Sequence, residues 1–184
     1  MRLCSVVFFL LGLGLLLPTS LLSAGEFKLE PGFKLLFNGK DFDGWQTAKS
    51  KKPESLDDKT EAFKGRFKVE KGSIVIDYTV KGDSYIETKQ EFGKDVHIKL
   101  DFKPGAGCNN DFFLRGSKFD ITPKVKGVKD GEWNTLDIIV TGDKIEHKIN
   151  GESARKGDVK GKSSTFMIRA EFGVIEIKNI RAKE

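Results

Sequence analysis

Three short stretches of the sequence alternate apolar residues with residue types that suit sugar binding. In the first, Phe112 and Leu114 alternate with Asp111, Phe113 and Arg115. If Phe112 and Leu114 face the core of a strand, the other three side chains share its opposite face. An aromatic ring packs on the apolar face of a sugar, while planar charged groups bind pairs of hydroxyls. This spacing indicates a candidate carbohydrate-binding surface.

The other two stretches place polar residues on one face in the same way. Arg169 and Glu171 flank Ala170, and Tyr85 and Glu87 form the second pair. Substrate-binding candidates are therefore Arg115, Phe113, Arg169, Tyr85 and Glu87. The alternative is a solvated sheet face with cross-strand ion pairs, which is common in antiparallel sheets. Both interpretations remain open at this level.

The elements that would position these residues are strands. Val96 to Phe102 alternates apolar with polar residues, and Ile145 to Ile149 does so between two turn signals. Leu136 to Val140, interrupted only by Asp137, is a more continuous apolar run, which suits a central strand. Gln46 to Ala62 is polar, contains Pro53 and is predicted as a long exposed loop. About ten short strands without an amphipathic helix predict an all-β, two-sheet antiparallel sandwich of jelly-roll type.

The composition is that of one folded domain. The 184 residues are 38% hydrophobic and include 15 Phe, which excludes a disordered chain. The formal net charge is +5, but basic and acidic residues are interspersed. A nucleic-acid-binding stripe is therefore not expected.

The first residues resemble a secretory signal peptide. Arg2 precedes an apolar run of twelve residues, Val6 to Leu17, and small residues follow up to Gly25. The run is shorter than the ~18–20 residues that span a bilayer, so a cleaved signal over 1–24 is favoured over a retained membrane anchor. The remaining 25–184 is expected to be one domain, exported to the periplasm, cell surface or medium and free of the membrane. Cys108 would be its only cysteine, which excludes an intrachain disulfide.

Common catalytic motifs are missing. The sequence has no glycine-rich phosphate loop, no Gly-x-Ser-x-Gly elbow and no His-Glu-x-x-His. Only two histidines are present, His97 and His147, so a multi-histidine zinc site is not expected. No metal or other cofactor is predicted.

Blocks along most of the chain resemble the 3-keto-disaccharide hydrolase family. Asn109 to Arg115 is similar to the family's Asn-Ser-Gly-Val-Phe-Leu-Arg, and Gly131 to Thr135 is similar to its Gly-Glu-Trp-Asn block. Other similar blocks are Leu36–Trp45, Lys89–Gly93, Ile145–Gly151 and Ile177–Arg181. The resemblance implies a concanavalin A-like sandwich and cleavage of 3-keto-glycosides, by hydrolysis or by lyase and hydratase steps.

The departures from the family pattern fall on polar positions. The family's Gln-Asp-His-Gly aligns with Arg169 to Phe172, and its Glu-x-Gln aligns with Asp120 to Thr122. The Trp of its His-Trp block is Lys148 here. Either the substrate differs from that of the family, or the chemistry has been lost.

Elimination from a 3-keto-glycoside needs a base for the acidic C–H and an acid for the leaving oxygen. The catalytic candidates are Glu171, Asp111, Asp120 and His147, with Arg115 stabilising an enolate-like oxygen. His147 aligns with a family histidine. However, Ile145 and Ile149, which share its face of the strand, are apolar, so a position in the core is the alternative.

Two functions remain open: an enzyme that cleaves 3-keto-glycosides, and a glycan-binding sandwich without catalysis. Both predict an oxidised or plain glycoside as the partner. Trp45 and Trp133 are expected to be core anchors, since both lie beside glycine-rich turns.

Overall fold

The computed structural model describes residues 27–184, which form fourteen strands. The predicted signal peptide, 1–24, lies outside the described residues. The strands are β1 (Lys34–Leu35), β2 (Trp45–Thr47), β3 (Glu61–Ala62), β4 (Phe67–Glu70), β5 (Ser73–Ile76), β6 (Ser84–Phe92), β7 (Val96–Pro104), β8 (Asn109–Leu114), β9 (Ser117–Ile121), β10 (Asn134–Thr141), β11 (Lys144–Ile149), β12 (Glu152–Asp158), β13 (Ser164–Phe172) and β14 (Ile175–Lys183). Residues 27–184 contain no helix that is long and apolar enough to cross a membrane.

The strands form two antiparallel sheets. The large sheet has nine strands in the order β12-β11-β10-β7-β14-β5-β4-β3, with β1 also paired to β14. The small sheet has five strands in the order β2-β6-β13-β8-β9. The predicted all-β, two-sheet sandwich of jelly-roll type is thereby confirmed, with fourteen strands in residues 27–184 where the sequence indicated about ten.

Alternation along the strands builds the core between the sheets. In β7, every second residue from Val96 to Pro104 is buried, because a pleated strand turns successive side chains to opposite faces. The small sheet contributes Phe112 and Phe166, whose rings stack with centroids 5.8 Å apart. Trp45 packs edge-on against Phe166 and is fully buried, so its prediction as a core anchor is confirmed.

Trp133 is not a core anchor, and that prediction is wrong. Its ring is 39% exposed, because it lies in the turn before β10 and points away from the sandwich interior. The Lys178 ammonium from β14 lies 3.9 Å from the ring centroid. A cation–π contact at the surface thus replaces the expected core packing.

The predicted exposed loop from Gln46 to Ala62 is wrong in part. Strands β2 and β3 occupy its two ends, and Ala48 and Leu56 are buried. The segment folds back on itself, with Leu56 N–H donating to the Trp45 carbonyl at 3.0 Å. Two isolated apolar residues were too weak a pattern to indicate this packing.

Candidate functional site

The polar residues predicted from strand parity lie on the small-sheet face that points away from the large sheet, here called the site face. Strand register places one row of four side chains across β6, β13, β8 and β9. The row consists of Tyr85, Arg169, Asp111 and Asp120. A neighbouring row runs from Glu87 through Met167 to Phe113. The alternation seen in sequence is therefore real, and the antiparallel register brings residues from distant segments together.

Arg169 is the centre of the site face. Its Nη1 donates to Asp111 Oδ2 at 2.9 Å, and its Nη2 donates to Asp83 Oδ2 at 2.7 Å and Glu171 Oε1 at 2.9 Å. Burial opposes the charge, but the hydrogen bonds to Asp83 and Asp111 outweigh it and raise the pKa of Arg169. A guanidinium with three carboxylates stays charged and is held in one orientation.

Asp111 is the buried carboxyl group of the site face. Its side chain is inaccessible to solvent, and its Oδ1 has no hydrogen-bond partner among the described residues. Burial and the neighbouring Asp120 raise the pKa of Asp111 to about 6, although Arg169 acts against this shift. A carboxyl with such a pKa exchanges its proton near neutral pH, as acid/base catalysis requires.

Asp120 and Lys118 cover this carboxyl group from the neighbouring strand β9. Lys118 forms an ion pair with Asp120, and its Nζ lies 3.8 Å from Asp111 Oδ1. Burial opposes the ionisation of Asp120, but Lys118 and Asp111 outweigh it and lower its pKa. The lysine side chain is 45% exposed, so it lies between Asp111 and solvent.

Aromatic rings border the charged row. Tyr85 and Phe113 have ring centroids 6.4 Å apart, and the Arg169 guanidinium carbon lies 5.7 Å from the Tyr85 centroid. Glu87, in the next row, accepts hydrogen bonds from Gln46 Nε2 at 2.9 Å and Thr165 Oγ1 at 2.8 Å. The face therefore offers both ring surfaces and planar polar groups, the combination that suits a sugar.

The expected placement of Arg115 on this face is wrong. Arg115 follows β8 in a left-handed turn, with φ of 47°, and its side chain is directed into neighbouring loops. Its guanidinium donates to the carbonyls of Gly93, Lys94, Gly142 and Gly161. The alternation of side chains between the two faces ends with β8 at Leu114, so it does not predict the direction of the Arg115 side chain. Its visible role is to join loops.

His147 lies in the core between the sheets rather than beside the carboxylates. Its ring stacks on Phe119 of β9 with centroids 4.4 Å apart, and it is almost fully buried. Burial, with a smaller effect of the Arg155 charge, lowers the pKa of His147 to about 4. The expectation that His147 joins the acid/base cluster is thus wrong in its geometry, and the alternative of a core histidine is the one observed.

Two residues of the cluster were missed from the sequence. Lys118 could have been found, because it lies two positions before Asp120 on the same strand and so shares its face. Asp83 gave no such signal, since it precedes β6 in a turn where alternation does not apply. Within residues 27–184, no three acidic, histidine or cysteine side chains come together as metal ligands.

The two antiparallel sheets define the class as a concanavalin A-like sandwich domain. A family model, the 3-keto-alpha-glucoside-1,2-lyase-like domain, matches residues 32–129 and 122–183. The chain belongs to this family, so the predicted family resemblance is confirmed. No curated protein matches the chain significantly in sequence.

Solved structures show the same fold. A Parabacteroides distasonis protein, named a putative glycosyl hydrolase, has a TM-score of 0.63 at 20% identity, covering 83% of this chain and 93% of that one. The β-glucanase of Bacillus licheniformis has a TM-score of 0.53 at 10% identity, covering 83% and 97%. The carbohydrate-binding module CBM66 of Bacillus subtilis has a TM-score of 0.50 at 11% identity, covering 77% and 96%.

Asp111 on β8 and Arg169 on β13 are bonded to each other across the small sheet. The buried carboxyl group therefore has a cation beside it, which offsets the cost of burying its charge.

Proposed function

We propose that this domain is an exported enzyme that cleaves 3-keto-glycosides by acid/base chemistry on the site face. The observation that carries the proposal is the buried Asp111, whose pKa is raised to about 6 beside Asp120 and Arg169. Perturbed carboxyl groups of this kind are typical of catalytic sites. Membership in the family supports the substrate class.

The reaction needs one proton removed and one proton supplied. The ketone at C3 acidifies the C2–H bond, and a base takes this proton. The C1–C2 double bond then forms as the C1–O bond breaks, and an acid protonates the departing oxygen. The hydrolysis or hydration of the product would add one water.

Asp111 has the role of the acid, because its raised pKa of about 6 lets it carry a proton in mildly acidic solution, whereas the lowered pKa of Asp120 keeps that carboxyl group charged. Glu171, on the other side of Arg169, is the base. Arg169 takes the role that the sequence assigned to Arg115, since a fixed guanidinium among the carboxyl groups can stabilise the enolate-like oxygen. Tyr85 and Phe113 supply the ring surface for the sugar.

A glycan-binding domain without turnover is the second candidate. It is favoured by the ion pairs that already engage Arg169, and by Lys118, which covers Asp111. In this case a plain glycoside would bind over Tyr85 and Phe113, and no carboxyl group would need to exchange a proton. The carbohydrate-binding module with the same fold is consistent with such a use.

Incubation of the purified protein with methyl 3-keto-α-glucoside, followed by detection of the released methanol, separates the two candidates. The enzyme should release it, and the rate should fall as the pH rises through about 6, because the acid must carry its proton. Asp111→Asn should abolish release, while Glu176→Gln, which removes a carboxylate paired with Lys103 on the large sheet, should retain most of it. Binding of the unoxidised methyl glucoside without any release would contradict the enzyme and support the binding domain.

Export is tested separately. The protein should be recovered from the envelope or medium without detergent, with an N-terminus near Gly25 or Glu26. A chain that begins at Met1 and sediments with membranes would contradict export by a cleaved signal.

A further inference from the structure

A pocket of about 610 Å³, here called the loop pocket, lies at one end of the sandwich. It is formed where three connections meet: the turn between β6 and β7, the turn between β10 and β11, and the loop between β12 and β13. Its lining residues are Lys94, Arg115, Gly142, Asp143 and Lys162. None of them belongs to the site face, so the loop pocket is a separate place in the fold.

Arg115 is the buried part of the loop pocket, with only 5% of the residue exposed. Its guanidinium donates to four loop carbonyls, those of Gly93, Lys94, Gly142 and Gly161. The backbone is fixed as well, since Arg115 N–H donates to Ser164 Oγ and Lys160 N–H donates to the Arg115 carbonyl, both at 2.7 Å. The guanidinium is therefore held in one place at the pocket wall.

The positive charge of Arg115 has no counter-ion. Among residues 27–184, no carboxylate forms an ion pair with this guanidinium, and its buried Nε has no hydrogen-bond partner. Carbonyl groups satisfy N–H donors, but they bring no net negative charge. Because a buried charge is normally paired, an anion in the loop pocket would supply what the chain itself does not.

Arg66 shows how a comparable buried arginine is balanced elsewhere in the molecule. It is also almost fully buried, and its guanidinium donates to three carbonyls. The pocket beside it, however, is lined by as many carboxylates as cations: Asp83 and Glu171 with Arg66 and Lys81. The surroundings of Arg66 are thus neutral overall, whereas those of Arg115 are not.

The rim of the loop pocket adds two further cations. Lys94 and Lys162 are exposed, and neither forms an ion pair with a carboxylate of the described part of the chain. A Cβ at Gly142 would lie 3.8 Å from Lys94 Cε, so the lysine side chain lies alongside the turn that forms one wall. With Asp143 as the one carboxylate among these lining residues, their formal charge is +2.

We propose that the loop pocket binds a tetrahedral oxyanion with two negative charges, of the kind carried by inorganic sulfate, inorganic phosphate and phosphate monoesters. The charge of the lining matches that of a dianion, and ammonium groups are strong donors to its oxygens. Lys94 and Lys162 hold the oxygens at the rim, while Arg115 contributes its charge from the wall.

The size of the loop pocket favours an ester over the bare ion. Its volume lies within the range of sites for small organic molecules, so the oxyanion can be one group of a larger ligand. The inference is independent of the proposed glycoside cleavage, because it uses no residue of the site face.

Calorimetry at pH 7.5 and low salt, with glucose 6-phosphate, inorganic phosphate, inorganic sulfate and glucose as probes, tests the loop pocket. The wild-type protein should bind glucose 6-phosphate at least about tenfold more tightly than glucose, equivalent to about 1.4 kcal/mol. Added sodium chloride should weaken the binding, because it screens the charges. Tighter binding of glucose 6-phosphate than of inorganic phosphate would identify an ester as the ligand, and equal binding would identify the free ion.

Lys94→Gln and Lys162→Gln should each weaken the binding of glucose 6-phosphate by about fivefold, the effect of one charge at close range near the surface. Asp143→Asn should strengthen it by about threefold, because a repelling carboxylate is removed. Arg115 is left intact, since its four hydrogen bonds hold the loops together. Lys103→Gln is the matched control: it also removes one lysine charge, but Lys103 lies at the far end of β7 from Lys94.

Thermal denaturation gives a second measurement. Phosphate should raise the melting temperature of the wild type more than that of the double variant Lys94→Gln/Lys162→Gln, whereas the general stabilising effect of the salt is common to both. Equal binding of glucose 6-phosphate and glucose by the wild type, or an equal loss of binding in Lys94→Gln and Lys103→Gln, would overturn the oxyanion site.

Discussion

Arg169 on β13 and Asp111 on β8 are register partners, joined by a 2.9 Å hydrogen bond between Nη1 and Oδ2. Asp111 has no solvent access, so this guanidinium is the main source of positive charge for its carboxyl group. The pair connects the stability of the small sheet with the proposed chemistry. Removing one partner and removing both should therefore have different consequences.

Arg169→Gln should lower the free energy of unfolding by about 3–5 kcal/mol, because it leaves the buried Asp111 without its cation. In the double variant with Asp111→Asn, the two side chains are neutral, and much of this loss should be recovered. Urea denaturation of the two single variants and the double variant measures the coupling. Additive effects of the two substitutions on the free energy of unfolding would show that the ion pair between Arg169 and Asp111 does not stabilise the fold.

Arg115→Ala should destabilise the fold by about 2–4 kcal/mol, because four carbonyl groups in three loops lose their donor. Arg115→Lys should recover little, since an ammonium cannot reach all four acceptors. Thermal and urea denaturation give the values. Sugar binding should fall only in proportion to the fraction of protein that is unfolded. A loss of binding in a fully folded variant would show that Arg115 contacts the ligand.

Trp133→Ala should change the free energy of unfolding by less than about 1 kcal/mol, because no enclosed cavity is created at an exposed ring. Trp45→Ala, which removes a fully buried ring, should destabilise by about 3–5 kcal/mol. The two tryptophans form a matched pair for the same assay. Similar losses in the two variants would mean that Trp133 packs into the interior.

His147→Phe should reduce the acid sensitivity of the fold. The pKa of His147 is lowered from 6.5 to about 4, so the unfolded chain binds its proton first, and stability is lost as the pH falls from about 6.5 to 4. The shift corresponds to about 3 kcal/mol over this window. Phenylalanine keeps the stacking on Phe119 and does not titrate.

Urea denaturation at pH 7 and pH 4 should show a smaller difference for His147→Phe than for the wild type. Asp111 acts in the opposite direction, because its raised pKa favours the protonated folded state as the pH falls. The comparison of the two proteins therefore isolates the histidine. An unchanged difference would place the protonated ring of His147 in contact with water.

Local patterns in the sequence were sufficient for the fold class and for most of the site face. The alternation around Ile86, Phe112 and Ala170 places one side of each strand in the core, and the polar side follows because a pleated strand has a period of two residues. Tyr85, Asp111 and Arg169 were found in this way.

Residues beyond strand ends could not be placed by the same reasoning. Arg115 is one residue past β8, where a left-handed turn redirects the side chain, and Asp83 and Trp133 precede strands in turns. The periodicity that predicts a face holds only while the backbone is extended. His147 follows the alternation of its strand. Because it shares a face with the apolar Ile145 and Ile149, this pattern predicted its burial in the core better than its alignment with a family histidine did.

What the sequence by itself determined is which side chains share a face within one strand. The tertiary structure decided which strands are neighbours, and hence that Arg169 meets Asp111, Asp83 and Glu171 rather than solvent. The pKa of Asp111 follows from that second step, because burial and neighbouring charges are properties of the assembled sheet. Register between segments 58 residues apart is set by packing over the whole core, and no local pattern encodes it.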